Sequence, residues 1–458
     1  MFKNPEFIRN TWTELTAKKL AAMPLLLITV YLLAYILDEA LPFSFLPYIC
    51  VFFYCVFTYV WSTRLAAETV IREINANTWS FQVMTSMSPV KMAVGKLFGS
   101  TVYIWYGNFI CFALYLLSYH LHRERLPEVP LPELLTNVLI FVLFGLSAQI
   151  LPLLLSLHSI RWRHFFEKFD VTFFQFMGIA MIIPLYKVFN GSGEGIVWYG
   201  AHYTAAQGRV SPVFLSVFII WGFIAIVNQI KTEFGQEPYP VSWFLFTLSL
   251  VAVLFGFNDY GSDNPLVRYV GTLSAFFAVL AVTYLTLCGE SNMALRPNMV
   301  SKYYHGKQYK RLFMIMPRSL VTIPVIIVLA LVLSVEFGSL GQEQGTSAGF
   351  MVWAMILFML RDFCFIYLWS LFAQGNEKET TVVPVLIALS TYTIIPVLLY
   401  HFDLRIFCSF FMPYFHESSY LTYNESAFLT VIPPALEFVF MLVLLTLGIR
   451  KKFRELRV

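Results

Sequence analysis

Apolar and polar residues alternate in long blocks along the chain, not at the short spacing of a soluble amphipathic helix or strand. A helix needs roughly 20 mostly apolar residues to cross the hydrocarbon core of a bilayer. About twelve blocks meet this requirement, which predicts an all-α polytopic membrane protein. The predicted spans are Leu20–Leu41, Phe43–Trp61, Leu97–Tyr119, Leu134–Leu157, Val171–Phe189, Pro212–Ile230, Ser242–Asn258, Val270–Cys288, Leu320–Phe337, Gly349–Phe372, Val382–Phe402 and Phe428–Gly448.

The lengths of the polar loops suggest a repeat. Residues 20–236 and residues 237–458 each hold six predicted spans with similar spacing. The longest loop of each half, residues 62–96 and residues 289–318, lies between its second and third spans. Because an even number of spans gives both halves the same orientation, we predict parallel repeats about an axis along the membrane normal.

Basic residues are distributed unequally across the predicted membrane. Most of the 31 Lys and Arg residues fall in the terminal segments and in loops on one side. Positive flanks resist translocation, so this side is predicted to be cytoplasmic and to hold both termini. The net charge of +4 reflects this asymmetry and not nucleic-acid binding. Residues 195–212 and 407–426 then lie outside, where we predict re-entrant or interfacial helices.

The composition excludes an ordinary soluble domain, since 58% of residues are hydrophobic and 13% are charged. No phosphate loop is present, because Gly95-Lys96 and Gly306-Lys307 lack the preceding glycine and the following Ser or Thr. The six cysteines have no paired spacing and are predicted to be packing residues. We therefore expect no enzymatic activity, metal or cofactor in this chain.

Residues 1–19 pattern as an amphipathic helix. Asn4 is a plausible N-cap, and Pro5 occupies the first helical position. The residues on its apolar face are Ile8, Trp12 and Leu15. A helix of this kind lies in the plane of the lipid headgroups.

Residues 62–96 are charged and carry signals for three short helices. Ser62–Ala76 forms one predicted helix and Thr78–Met87 a second, with Asn77 as a cap between them. Ser88-Pro89 begins a third, which runs into the next span. The three helices predict a rigid lever on the cytoplasmic side.

This loop resembles the first cytoplasmic loop of the permease subunits of ATP-binding-cassette exporters of the second type. In that family the loop reads as a glutamate, a Gly-Thr pair, a leucine-rich helix, a small residue with proline, and Gly-Lys. The corresponding features here are Glu73, Asn77-Thr78, Phe81–Met84, Ser88-Pro89 and Gly95-Lys96. Asn77 replaces the usual glycine, and the second half keeps little beyond Glu290 and Pro317.

The resemblance implies a permease subunit of the cytoplasmic (inner) membrane, whose loop is a coupling helix that docks on a separate ATPase. ATP and Mg would be bound by that partner. The chain would act as a pseudo-dimer or as a homodimer. The resemblance assigns coupling to Glu73, Thr78, Met84, Ser88 and Pro89.

Three charged residues fall inside predicted spans. Arg361 and Asp362 lie near the middle of the tenth span, and Glu437 near the middle of the twelfth. An unpaired ion at that depth costs roughly 2.5 to 3.5 kcal/mol. Two readings follow: a structural bridge from Arg361 to Glu437 or Asp362, or a polar lining for substrate.

Two other classes of protein compete with the exporter permease. A twelve-span secondary transporter would use an ion gradient, but its long loop would be expected between the halves. A membrane-embedded transferase would need clustered acidic or His residues at the interface, and the sequence shows no convincing cluster. The 81 aromatic residues (46 Phe, 25 Tyr and 10 Trp) fit an amphipathic cargo as well as packing against lipid.

Overall fold

In the residues that it describes, the computed structural model of the chain is helical apart from turns and one short β-hairpin. It describes residues 4–38, 45–85, 87–121, 130–162, 171–189, 196–203, 211–236, 240–262, 265–289, 302–304, 306–314, 316–338, 344–372, 379–402, 404–412 and 423–455.

The first ten helices precede residue 237. They are α1 (Pro5–Glu14), α2 (Ala17–Asp38), α3 (Leu46–Cys55), α4 (Thr63–Asn75), α5 (Trp79–Val83), α6 (Pro89–Val94), α7 (Val102–Leu121), α8 (Leu131–Trp162), α9 (Val171–Phe189) and α10 (Ser211–Glu233). A π-helical segment, Val56–Ser62, joins α3 to α4, and a second, Gly95–Gly99, continues α6. Strands β1 (Ile196–Trp198) and β2 (Ala201–Tyr203) lie between α9 and α10.

The remaining helices follow residue 239. They are α11 (Pro240–Phe255), α12 (Pro265–Arg268), α13 (Val270–Gly289), α14 (Tyr309–Met314), α15 (Arg318–Gly338), α16 (Gln344–Phe372), α17 (Glu379–His401) and α18 (Tyr423–Glu455). A short 3-10 helix, Arg405–Phe410, lies between α17 and α18.

Nine helices in the described part of the chain are long and apolar enough to cross a membrane, which makes this a multi-pass membrane protein. They are Ala17–Asp38, Leu46–Asn75, Val102–Leu121, Leu131–Ile160, Pro212–Glu233, Val270–Leu287, Arg318–Gly338, Ala348–Trp369 and Leu429–Lys452. Two shorter apolar helices, Val171–Ala180 and Pro240–Phe255, accompany them. The count of twelve spans stays a prediction.

The chain forms two compact units. The first contains Met1–Ile196 and Tyr203–Glu237, and the second contains Val197–His202 and Pro238–Val458. In the first unit, α4 and α6 of the loop of residues 62–96 pack against α8 and α10 in one buried cluster. It includes Val70, Met92, Leu153 and Ile226. In the second unit, the main core lies between α13, α15 and α16 and includes Phe276, Ile326 and Ile356.

The prediction of a helix is wrong for residues 196–203, which form a hairpin. Its two turn residues, Tyr199 and Gly200, both have positive φ, at 49° and 73°. Two consecutive residues with positive φ are the geometry of a tight hairpin turn whose twist matches the flanking strands. Trp198 and Tyr199 donate to the carbonyls of Ala252, Val253 and Gly256, which satisfies acceptors at the end of α11 that have no partner within the helix.

Candidate functional site

The loop of residues 62–96 folds as three helices, as predicted. Asn77 takes a left-handed conformation (φ 54°) in the turn between α4 and α5. The Ser88 hydroxyl accepts the Lys91 N–H at 3.4 Å, and Pro89 is the first residue of α6, which confirms the predicted start of the third helix. The second helix is shorter than predicted, because it ends at Val83 and not at Met87.

Glu73 is the centre of a buried polar cluster at the base of this loop. Its carboxylate accepts hydrogen bonds from the Lys96 ammonium, from the Arg9 guanidinium at 2.8 Å and from the Gln82 amide at 2.6 Å. The Lys96 side chain is completely buried, and its Nζ lies 5.2 Å from the centre of the Trp79 ring. A charge at this depth is stable only when it is paired, so these contacts fix the three helices against one another.

Helix α1 completes the cluster with a second carboxylate. Glu6 is buried, and its Oε1 lies 2.7 Å from Arg9 Nη2 and 3.6 Å from Lys96 Nζ. The Asn4 amide donates to the Lys91 carbonyl at 2.5 Å. A Cβ added to Gly95 would lie 2.6 Å from the Glu6 side chain, so the glycine permits this close approach. We call Glu6, Arg9, Glu73 and Lys96 the brace. It holds two carboxylates and two cations.

Of the predicted N-terminal helix, residues 1–19, the structure forms α1 over Pro5–Glu14. The predicted cap is confirmed, since Asn4 Oδ1 accepts the Glu6 N–H at 3.1 Å and Pro5 begins the helix. The face of α1 that packs on the protein carries Asn4 and Glu6, while Trp12 of the predicted apolar face is 79% exposed. The position of α1 in the headgroup plane stays a prediction.

The far end of the loop exposes apolar side chains. Phe81 is 71% exposed and Met84 is 81% exposed, in a stretch between Glu73 and Lys91 that carries no charged residue. The two residues are three apart on one short helical segment, and that spacing makes them neighbours on its surface. We call Phe81 and Met84 the tip.

The five predicted coupling residues therefore fall into different environments. Glu73 is buried in the brace, and its carbonyl accepts the Thr78 N–H at 2.9 Å. Thr78, Met84 and Ser88 are exposed, and Pro89 is half-buried. The sequence alone did not indicate the roles of Arg9 and Gln82 or the burial of Lys96. These residues are separated from Glu73 along the chain, and no sequence pattern shows that they contact its carboxylate.

The predicted loop of residues 289–318 is described only in part. Helix α14 lies in it, with Tyr309 and Phe313 exposed. Pro317 is buried, and Glu290 lies outside the described residues.

A second polar cluster lies between helices of the second unit. Arg361 donates to Asp362 Oδ1 at 2.9 Å through Nη2 and to Glu437 through Nη1, so both predicted bridges form together. Asp362 Oδ2 also accepts the hydroxyls of Tyr284, at 2.8 Å, and Tyr392. These five residues come from α13, α16, α17 and α18, and we call them the span network.

Aromatic rings and the 3-10 helix contact Arg361 of the span network. The Arg361 guanidinium carbon lies 4.7 Å from the centre of the Phe358 ring and 5.2 Å from that of Tyr392. Arg361 Nη1 also approaches the Phe410 carbonyl at 3.4 Å. Phe410 belongs to the described start, residues 407–412, of the predicted outer stretch 407–426, and this start contacts the network directly. Within the described ranges, no group of three or more His, Cys, Asp or Glu residues could hold a metal ion.

Comparison of the chain with protein family models, with curated proteins and with solved structures gives no match. Any assignment of function therefore depends on the geometry of the loop and of the span network.

Proposed function

We propose that this chain is the membrane-spanning permease subunit of an ATP-driven exporter, similar to the second type of ATP-binding-cassette exporter. The loop of residues 62–96 couples the spans to a separate ATPase subunit that binds ATP and Mg. The combination of a braced base and an exposed apolar tip carries this proposal. Twelve spans in two six-span halves, a cytoplasmic loop, a cytoplasmic (inner) membrane and an amphipathic substrate belong to the same proposal.

The brace supports a mechanical role for the loop. Helix α4 continues α3 through the π-helical segment Val56–Ser62, and α6 continues through Gly95–Gly99 toward α7. Glu73 lies on α4 and Lys96 in the second π-helical segment, so their ion pair joins the two paths. A displacement of α5 would thus move both connected spans together. A loop without this pairing would absorb the motion by bending.

The tip supports a protein contact. Neighbouring exposed apolar side chains in a polar loop are typical of interaction surfaces, and Met is suited to contacts that must adapt during a cycle. Neither Phe81 nor Met84 is part of the brace or of a buried core cluster. The two side chains therefore contribute little to the stability of the loop.

Co-purification tests the proposal. The tagged chain, extracted in mild detergent from the cells that make it, should retain a protein that carries a phosphate loop. Met84→Asp and Phe81→Asp should release that protein, because a charge would enter an apolar contact. Tyr260→Asp, the same kind of change at a 57% exposed residue far from this loop in sequence, should not release it. Equal retention by all variants would contradict the proposal.

The span network favours a second candidate, a twelve-span secondary transporter driven by an ion gradient. Charged residues inside spans recur in proton and ion pathways. Transport by the purified chain alone in vesicles with an imposed ion gradient would support this candidate. Transport that needs both ATP and the partner would support the exporter.

A further inference from the structure

The brace and the span network differ in charge balance. The brace pairs two carboxylates with two cations. In the ion pairs of the described residues, the span network has two carboxylates, Asp362 and Glu437, and one cation, Arg361. With all three groups ionised, the network carries one surplus negative charge among apolar helices. Such a charge is costly, so a partner for it is expected.

The surplus charge is located at Glu437. Asp362 is 2% exposed and accepts hydrogen bonds from Arg361 Nε and Nη2 and from two tyrosine hydroxyls. A carboxylate has about four acceptor positions, so Asp362 is saturated. In contrast, the hydrogen bond from Arg361 reaches only Oε2 of Glu437.

Glu437 is also the accessible member of the network. Its side chain is 26% exposed, against 3% for Asp362 and 15% for Arg361. Its neighbours on the open side of α18 are apolar, with Leu436 and Phe440 each 62% exposed. The carboxylate is therefore partly accessible beside apolar side chains.

No second cation compensates from the facing helices as far as the structure describes them. The titratable and charged groups on α16 that face α18 are Arg361, Asp362, Cys364 and Tyr367. Tyr284 of α13 and Tyr392 of α17 already donate to Asp362, and the 3-10 helix offers the Phe410 carbonyl. Among the described side chains, none adds positive charge beyond Arg361; the side chain of Arg405, which begins the 3-10 helix, lies outside them.

We propose that Glu437 is a binding site for one positive charge, filled by a proton or by a small monovalent cation. Arg361 holds the carboxylate in place, and the buried Asp362 keeps Arg361 engaged. The site goes beyond the proposed function, because it does not depend on which energy source drives the chain.

Thermal unfolding in detergent tests this site. If the native chain keeps a proton on Glu437 that the unfolded chain has released, its stability falls as the pH rises from about 5 to about 8. The wild-type melting temperature should fall more over this range than that of Glu437→Gln. Glu68→Gln, which removes a carboxylate paired with Arg72 in the first unit, should follow the wild type.

The same measurement separates a proton from a cation. If Na⁺ or K⁺ fills the site, either salt raises the melting temperature of the wild type at about pH 8 relative to the bulky N-methylglucamine cation. Glu437→Gln should lose this response. The proposal is overturned if this variant follows the wild type in both pH and salt.

Chemical labelling of the wild type covers the case in which Glu437→Gln does not fold. A hydrophobic carbodiimide reacts with protonated carboxyl groups in apolar surroundings. Labelling should fall on Glu437 and should decrease when the pH is raised or when Na⁺ or K⁺ is added. Labelling of Asp362 instead, or no labelling of either carboxyl at any pH, would overturn the proposal.

Discussion

Replacing Lys96 with Met tests whether the brace holds the loop. The change removes a cation whose side chain is fully buried and leaves the Glu6 and Glu73 carboxylates with Arg9, which is half exposed. Breaking a buried ion pair on one side costs about 3–5 kcal/mol, because the remaining charge has lost its partner. Lys96→Met should therefore lower the free energy of unfolding by about that amount.

The matched control is Lys91→Met, an exposed lysine on the same helical segment. It should change the free energy of unfolding by no more than about 0.5 kcal/mol. The double variant Lys96→Met with Glu73→Gln should recover part of the loss, because it leaves Glu6 with Arg9 as a balanced pair. Reversible unfolding in mixed micelles, followed by Trp fluorescence, measures all four proteins. Equal stability of Lys96→Met and Lys91→Met would refute the assignment of the brace.

Three further predictions concern other contacts. Gly95→Ala should destabilise the docking of α1 by about 1–3 kcal/mol and make the N-terminal segment easier to cleave with protease, because the new Cβ meets Glu6. Met84→Asp should leave the free energy of unfolding within about 0.5 kcal/mol of wild type while it abolishes retention of the ATPase, since Met84 is exposed. Arg361→Met should cost about 3–5 kcal/mol in micelle unfolding, because Asp362 and Glu437 lose the cation that they share.

For each of these three predictions, one outcome would contradict it. Gly338→Ala is the control for Gly95→Ala, since a Cβ there meets nothing within 4 Å, and equal protease sensitivity of the two variants would disprove the close approach of α1. A destabilised Met84→Asp would show that the tip is packed against the protein. An Arg361→Met variant as stable as wild type would show that the two carboxylates do not need this cation.

Local signals made some of the structure predictable from the sequence. Asn4-Pro5 and Ser88-Pro89 mark helix starts because the caps act within three residues. The pairing of Arg361 with Asp362 and Glu437 was predictable for another reason. An unpaired charge inside an apolar span costs free energy, so charged residues in spans are expected to pair.

Other features depend on contacts that the sequence does not mark. In the sequence, Lys96 resembles any basic residue at the end of a span. Its burial depends on packing against Glu6 of α1 and Glu73 of α4, which lie far from it in the chain. Tyr284 and Tyr392 are two of 25 tyrosines, and nothing in their spacing indicates that both reach Asp362. The hairpin at Ile196–Tyr203 was missed because its turn, Tyr199-Gly200, lacks the Asn-Gly or Asp-Gly pair that usually signals one.

The central claim is that the tip contacts a separate ATPase, and photo-crosslinking from position 84 tests it most directly. A photoreactive amino acid placed at Met84 in the native cells should crosslink to a protein that carries a phosphate loop, and the same group at Tyr260 should not. Crosslinks from position 84 to lipid or to proteins without a phosphate loop, with none to an ATPase, would contradict the account.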